Sequence, residues 1–177
     1  VIDENGKVIN INQFELSEIV MSRIEEILVF ARKEINLLTK RDVDYIIINA
    51  AECEPYLTSD NRLLLEHTEE ILIGIEIMKK AVKVDKAKIG IETNKPQAIA
   101  ALKALVSKYP GTEVVPLKTK YPQGAEKQLI YALTKREVPS GKLPIEVGCI
   151  VNNVGTAFAI YQAVQKNRPL IDNILTF

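Results

Sequence analysis

The sequence predicts an α/β fold with three layers, a mainly parallel sheet with helices on both faces and a Rossmann-like winding. Two observations lead to this prediction. Short apolar runs typical of strands alternate along the chain with amphipathic runs of ten or more residues typical of helices. The first clear strand, "YIIIN" (45–49), is apolar without interruption, as is typical of a strand buried on both faces of a parallel sheet. Alternating strands and helices form βαβ units, whose strands run parallel.

The remaining elements follow in order. One long helix is predicted from about Asn61 to Val82, and three more strand and helix pairs come after it. The strands are "KIGIE", "TEVVPL" and "IEVGCIV", and the helices are "KPQAIAALKALVSK", "GAEKQLIYALTK" and "NVGTAFAIYQAVQK". Residues 1–40 are predicted to form a hairpin and a helix packed on a core domain of residues 41–177. We expect this domain to be excised from a longer chain.

Composition excludes several classes of function. The 177 residues carry 23 Lys+Arg and 23 Asp+Glu, so no overall field attracts nucleic acid. Two cysteines cannot supply a disulfide framework or the four thiolates of an iron–sulfur cluster, which favours a reducing, cytoplasmic setting. Charges interrupt every apolar segment before the roughly 20 residues that a membrane span requires. The sequence therefore predicts neither nucleic-acid binding nor direct membrane insertion.

Polar residues gather in the loops that follow the predicted strands. In a wound parallel sheet these loops share the carboxyl edge, where ligands bind. The loops are "NAAECEPYLTSD", "ETNKP", "KTKYPQG" and "NNVGT". Neither a GxGxxG fingerprint nor a P-loop is present. Glu52, Glu54 and Asp60 cluster in one loop, but no histidine joins them from another loop, so no metal site is predicted. His67 lies among leucines, which favours a structural role over catalysis.

Each polar residue also has a structural interpretation. Asn152 and Asn153 are favoured types for capping the last helix. Glu52 and Glu54 are compatible with a solvated loop, and Cys53 with a small buried apolar group. Lys118 and Lys120 are compatible with ordinary surface charge. Their convergence on one edge of the sheet favours a binding site.

Three segments together resemble a known family. "NAAECEP", "KYPQGAEKQL" and "VNNVGTAFAIYQAV" occur in the order found in the C subunit of the Rnf electron-transport complex (RnfC-like proteins), a relative of the flavoprotein subunit of respiratory complex I. In the complex I relatives the first motif reads N-A-D-E-x-E-P and the last reads V-N-N-V-E-T. Ala51 and Gly155 depart from these patterns.

The resemblance implies FMN and NAD(H) as cofactors. Carried over residue by residue, the motifs assign cofactor binding to Asn49, Glu52 and Glu54 and to Asn152, Asn153 and Thr156. Backbone N–H groups at the helix start near Gly124, with neighbouring lysines including Lys120, are suited to a phosphate. Tyr121 is suited to stacking on a ring. No side chain is assigned a catalytic role, because the cofactor carries the chemistry.

The family resemblance further implies an electron-transfer role, in which electrons pass from NADH toward iron–sulfur clusters outside this segment. The implied partners are other subunits of an Rnf-type complex, at the cytoplasmic face of the inner membrane. One alternative is a related protein that serves a dedicated reductase, such as D-proline reductase. Another is a structural module without flavin. The second alternative is favoured by the absence of the family's glycine-rich flavin loop, since Gly6 is the one glycine in residues 1–44.

Overall fold

The sheet is the centre of the described part of the protein. The computed structural model describes residue 21, residues 42–54 and residues 56–171. Within them, four strands form one sheet in which every neighbouring pair is parallel. Apart from Met21, which is helical, the hairpin and helix predicted for residues 1–40 lie outside the described residues. The domain boundary near residue 40 stays a prediction.

Strands and helices alternate as the sequence predicts. The strands, in chain order, are β1 (Tyr45–Ala50), β2 (Ala87–Glu92), β3 (Thr112–Leu117) and β4 (Cys149–Asn153). The α-helices are α1 (Ser59–Glu66), α2 (Thr68–Val82), α3 (Pro96–Leu105), α4 (Glu126–Thr134) and α5 (Val154–Lys166). Two short 3-10 helices span Val106–Lys108 and Pro144–Val147.

Both faces of the sheet are covered, which confirms the three-layer prediction. Ile46 and Ile48 of β1 pack on one face with buried residues of α1, α2, α3 and α5. Ile47 points to the other face and packs with Leu129 and Leu133 of α4. Successive side chains of a strand point to opposite faces, so an uninterrupted apolar run is the pattern that two covered faces require.

The strand order β3-β2-β1-β4 determines where a ligand site forms. The chain winds from β1 outward through β2 to β3, and then returns to the other side of β1 to form β4. Asn49 at the end of β1 is in register with Asn153 at the end of β4. The direction of winding thus changes between β1 and β4, and ligands of parallel sheets bind at such a switch point.

The long helix predicted from Asn61 to Val82 is two helices. His67 lies between them with φ −131° and ψ 36°, outside the helical region. The hydroxyl of Thr68 donates to the carbonyl of Leu64, a local side-chain bond of the kind that competes with a continuous helix. The His67 ring packs on Phe158, with ring centroids 4.5 Å apart. Apolar spacing continues across the break, which is why periodicity alone misses it.

The strand predicted over "IEVGCIV" is also displaced. Pro144 begins a 3-10 helix, and Gly148 ends it with φ +68°. Proline fixes φ and donates no ladder hydrogen bond, so this segment turns instead of pairing. The strand begins at Cys149 and extends through Asn152 to Asn153.

The two helices behind the switch point pack closely. At Gly74 of α2, an added Cβ would lie 1.9 Å from the carbonyl oxygen of Ala157 in α5. No side chain larger than hydrogen fits there, because a packed interior leaves no room for an extra carbon. Gly74 therefore sets the separation of α2 and α5.

Candidate functional site

A cleft of about 370 Å³ opens at the carboxyl edge, between the loop after β1 and the loop before α4. Ligand pockets commonly range over about 300–1,000 Å³. The residues predicted from sequence that line it are Asn49, Glu52, Glu54, Tyr121 and Asn153. The sheet topology thus brings together residues from three separate loops.

Asn49 joins two of those loops. Its side-chain Nδ2 donates to the carbonyl of Gly124 at 3.0 Å, and its Oδ1 accepts from the N–H of Ala51 at 3.1 Å. An asparagine amide has two N–H donors, and the second has no partner among the described residues. Asn49 therefore holds the two loops together and lines the cleft.

The Glu52 carboxylate is engaged within the protein. Its Oε1 accepts from the backbone N–H of Asp60 at 2.7 Å and of Asn61 at 3.3 Å. Its Oε2 accepts from Nζ of Lys95 at 2.9 Å, and the side chains of Glu52 and Lys95 are 1% and 18% exposed. A carboxylate at the start of a helix stabilises the free amides and the positive end of the helix dipole. Glu52 thus fastens the loop after β1 to α1 and to the loop before α3.

Asp60 and Asn153 connect α1 to the start of α5. Nδ2 of Asn153 donates to Oδ2 of Asp60 at 2.6 Å. Its Oδ1 accepts from the N–H of Gly155 at 2.7 Å, which makes Asn153 the N-cap of α5. The capping interpretation of Asn153 is therefore correct. As with Asn49, the second N–H of the Asn153 amide has no partner within residues 42–54 and 56–171.

The charge around Asp60 is unbalanced. Burial is the largest influence and raises the pKa of the Asp60 carboxyl above its usual value. The hydrogen bond from Asn153 lowers this pKa, while the nearby charges of Glu52 and Glu54 raise it. Lys95 opposes them more weakly. The pKa of Asp60 is therefore raised mainly by burial, and the two neighbouring carboxylates add to that effect.

The rim of the cleft is exposed and aromatic. Glu54 is exposed, and Tyr121 is 83% exposed beside it. Tyr56 is 93% exposed in the same loop as Glu54, although it does not line the cleft. Exposed rings of this kind are suited to stacking on a planar ligand.

Gly124 allows the two loops to meet. Its N–H donates to Sγ of Cys53 at 2.9 Å. An added Cβ at Gly124 would lie 2.8 Å from that sulfur and 3.0 Å from the carbonyl oxygen of Ala51. Cys53 is half-buried and its sulfur serves this contact, so its role in the described structure is packing.

The other three predicted residues lie outside the cleft lining. Lys120 borders a neighbouring groove with Gln123 and Lys127. Asn152 precedes Asn153 in β4 and Thr156 is exposed in α5. For these three, as for the residues of the cleft, contact with a cofactor stays a prediction.

The described residues contain no group of three or more His, Cys, Asp or Glu side chains placed to hold a metal ion. None of the helices in the described ranges has the length and apolar character needed to cross a membrane.

Comparison with known proteins identifies the family. Residues 31–162 match the profile of the Nuo51 FMN-binding domain. The chain belongs to the Nuo51 FMN-binding domain family. This match includes all four strands and the residues of the cleft.

Within this family, the chain is similar to curated C subunits of ion-translocating complexes. It is 53% identical over 138 residues to the C subunit of the proton-translocating ferredoxin:NAD+ oxidoreductase complex of Clostridium ljungdahlii, covering 77% of this chain and 30% of that protein. It is 48% identical over 136 residues to the C subunit of the Na+-translocating complex of Acetobacterium woodii, covering 77% and 31%. The resemblance to the C subunit of the Rnf complex is thereby confirmed, and the chain spans about a third of those relatives.

Solved structures support the fold. The chain superimposes on the NAD+-reducing NiFe-hydrogenase in the H2-reduced state with a TM-score of 0.61 and 23% identity, covering 76% of this chain and 27% of that chain. For the air-oxidized state the TM-score is 0.59 and the identity 26%, covering 70% and 24%. The fold of the family is therefore present in the described residues.

The sequence does not predict the contacts of two residues at the cleft. Lys95 lies in the edge loop "ETNKP", but no local pattern pairs it with Glu52. Asp60 belongs to the acidic cluster of the first loop, and the structure places it against Asn153. The signal available for both was their position at the carboxyl edge.

Proposed function

We propose that this chain is the FMN- and NAD(H)-binding core of the C subunit in an Rnf-type ferredoxin:NAD+ oxidoreductase complex. The observation that carries the proposal is the cleft at the switch point of the sheet, formed by Asn49, Glu54, Tyr121 and Asn153. It occurs in a chain of the Nuo51 FMN-binding domain family. Relatives named as C subunits of such complexes support the choice of complex.

The side chains of the cleft suit the ring and sugar portions of a flavin. Asn49 and Asn153 each have one N–H beyond those used among the described residues, and a flavin edge is rich in acceptors. Tyr121 offers an exposed ring for stacking. Glu54 is exposed and suited to accept hydrogen bonds from the ribose hydroxyls of a nicotinamide nucleotide. A bound flavin supplies the chemistry, since it accepts hydride from NADH and releases electrons one at a time.

A phosphate requires a different part of this edge. Among the described residues that line the cleft there is no Lys or Arg. Lys95 is adjacent, but its ammonium is paired with Glu52. We therefore assign a ligand's phosphate to the side of the cleft toward Lys120 and the first turn of α4, whose backbone amides are suited to it. The N–H groups of Gly124 and Ala125 are used by Cys53 and Pro122 and do not contribute.

The partners and location belong to the same proposal. Electrons received from NADH would leave toward iron–sulfur clusters outside this chain, in other subunits of the complex or in a longer form of this one. The chain would then lie at the cytoplasmic face of the inner membrane as a peripheral component. A variant of this proposal is that the chain passes electrons to a dedicated partner reductase, such as D-proline reductase.

Titration of the purified chain with FMN tests the proposal. We expect flavin fluorescence to be quenched at micromolar FMN, and NADH added afterwards to bleach the flavin absorbance. Absence of quenching would overturn the proposal for this chain. Glu54→Gln should weaken NADH more than FMN, whereas Asn152→Ala should weaken FMN more than NADH.

A matched control makes the Glu54 result specific. Glu113→Gln removes the same charge from β3, where Glu113 pairs with Lys88 far from the cleft. This control should leave both affinities unchanged. Equal effects of Glu54→Gln on FMN and NADH would show that the role of Glu54 has been misassigned.

A structural module without flavin is the second candidate. The observations that favour it are the acidic cleft without a lysine or arginine in its described lining and the absence of the glycine-rich loop from residues 1–44. The same FMN titration distinguishes the two candidates, because the module binds no flavin.

A further inference from the structure

Three carboxylates meet at the cleft, and one ammonium faces them. Glu52 and Glu54 come from the loop after β1, Asp60 from the first turn of α1, and Lys95 from the loop before α3. The ammonium of Lys95 lies 2.9 Å from the Glu52 carboxylate. Two backbone amides also donate to this carboxylate and stabilise its negative charge further. Glu54 is exposed and is solvated by water. Among these described carboxyls, Asp60 is the one that has neither a cation of its own nor full access to solvent.

The hydrogen bond between Asp60 and Asn153 can form whether the Asp60 carboxyl is ionised or protonated. Its Oδ2 accepts from the neutral amide of Asn153 at 2.6 Å, and its own N–H donates to Glu52. The second carboxyl oxygen of Asp60 is then available to carry a proton without breaking the contact with Asn153. Burial and the charges of Glu52 and Glu54 already raise its pKa, against the hydrogen bond from Asn153 and the charge of Lys95.

We propose that Asp60 takes up a proton when the cleft gains negative charge, so that reduction of a flavin bound there is coupled to protonation of this carboxyl. The inference rests on the proposed function. Asp60 is a positioning residue under this proposal. It acts on the cofactor through charge and through Asn153, and it exchanges its proton with water.

Charge and protons balance when a flavin bound in the cleft is reduced. A hydride, which is two electrons and one proton, would pass from NADH to a flavin held in the cleft, and NAD+ would then leave. The cleft would therefore keep one added negative charge on the flavin ring system. A like charge placed near a carboxylate disfavours its ionised form. The Asp60 carboxylate therefore takes one proton from a hydronium ion, which leaves water, and the net charge of the cleft is unchanged.

The test compares midpoint potentials of FMN bound to the chain, from mildly acidic to mildly alkaline pH. One extra proton taken up per two electrons adds about 30 mV per pH unit to the slope, because a tenfold change in the equilibrium constant of a two-electron couple corresponds to 29.6 mV. We expect this extra slope in the wild-type chain at pH values between the pKa of Asp60 beside oxidised FMN and its higher pKa beside reduced FMN. Asp60→Asn keeps the size and an oxygen that accepts from Asn153, and we expect it to lose the extra slope.

Two further measurements make the result specific. Asp85→Asn removes the same charge from an exposed residue between α2 and β2, and we expect it to keep the wild-type slope. The ¹³C shift of the Asp60 carboxyl reports its protonation directly, and we expect its pKa to rise when the bound FMN is reduced.

The outcomes separate this inference from the proposed function. A chain that binds no FMN contradicts the proposed function, and this inference falls with it. A chain that binds FMN with the same slope in wild type and Asp60→Asn, or with an Asp60 shift that does not respond to reduction, overturns this inference alone.

Discussion

Replacing Lys95 with methionine removes the ammonium that faces Glu52 and keeps a side chain of similar length. The Glu52 side chain is 1% exposed, and its Oε2 lies 2.9 Å from Nζ of Lys95. The carboxylate would then remain buried without its cation. We expect this substitution to destabilise the protein well beyond the effect of losing a surface ion pair.

The expected loss in the free energy of unfolding depends on the hydrogen bonds that Glu52 keeps. Removing one member of a buried ion pair costs about 3–5 kcal/mol. Glu52 keeps the backbone N–H groups of Asp60 and Asn61 at 2.7 and 3.3 Å, and hydrogen bonds to charged groups contribute about 1.5–3 kcal/mol. The expected loss is therefore at the low end, about 3 kcal/mol. For a chain of this size, that corresponds to a fall in Tm of about 6–12 °C.

Urea unfolding of a double-mutant cycle measures the interaction. Glu52→Gln retains an oxygen that accepts from the amides of α1 but carries no charge. We therefore expect Lys95→Met to cost less in the Glu52→Gln background than in the wild type. The control is Lys88→Met, which breaks a pair whose Glu113 side chain is 60% exposed, and its expected cost is about 1 kcal/mol or less. Equal losses for Lys95→Met and Lys88→Met, or a cycle without coupling, would refute the reasoning.

Three other substitutions have definite expected outcomes. Gly74→Ala places a Cβ 1.9 Å from the carbonyl oxygen of Ala157, and thermal unfolding should show a loss of about 1–3 kcal/mol or more; an unchanged Tm would mean that α2 and α5 are not so closely packed. Gly124→Ala places a Cβ 2.8 Å from Sγ of Cys53, so it should lower the free energy of unfolding, and Cys53→Ala should restore part of the loss. Asp60→Asn should raise the free energy of unfolding at neutral pH, because burial raises the pKa of Asp60 in the folded state and its ionised form opposes folding. This gain should vanish in acid below the unfolded-state pKa, where Asp60 is protonated in both states; a gain that persists or grows in acid would contradict the assignment.

The fold could be predicted because its signals are local. A continuous apolar run such as "YIIIN" reports burial on both faces of a strand, and the alternation of such runs with amphipathic helices determines a parallel arrangement. The two wrong predictions, one continuous helix from Asn61 to Val82 and a strand over "IEVGCIV", have causes that the spacing of apolar residues does not show. His67 leaves the helix where its ring meets Phe158 in α5, which is 91 positions later in the chain. Pro144 and Gly148 turn a segment that its apolar residues alone would place in a strand.

The site could be predicted in part for the same reason. Parallel topology brings the ends of the strands to one edge, so the loop positions alone place Asn49, Glu54 and Asn153 near one another. Their assignment to cofactor binding depends on the family motifs and stays a prediction. The pairing of Glu52 with Lys95 joins residues 43 positions apart, and no local pattern specifies it. Neighbouring residues of a strand point to opposite faces, so only one of Asn152 and Asn153 can line the cleft. The sequence does not specify the residue at which β4 ends, and therefore could not decide between them.

The central place of β1 in the sheet has a consequence for local opening. Within the described residues β1 is hydrogen-bonded to β2 on one side and to β4 on the other. Amides of such a strand exchange with solvent only when the whole domain unfolds, whereas loop amides exchange through small fluctuations. Hydrogen–deuterium exchange should therefore be slowest along β1 and along β2, which is also paired on both sides, and faster in residues 53, 54 and 56–58 of the loop after β1. The cleft would then combine a rigid strand with a loop that fluctuates beside it.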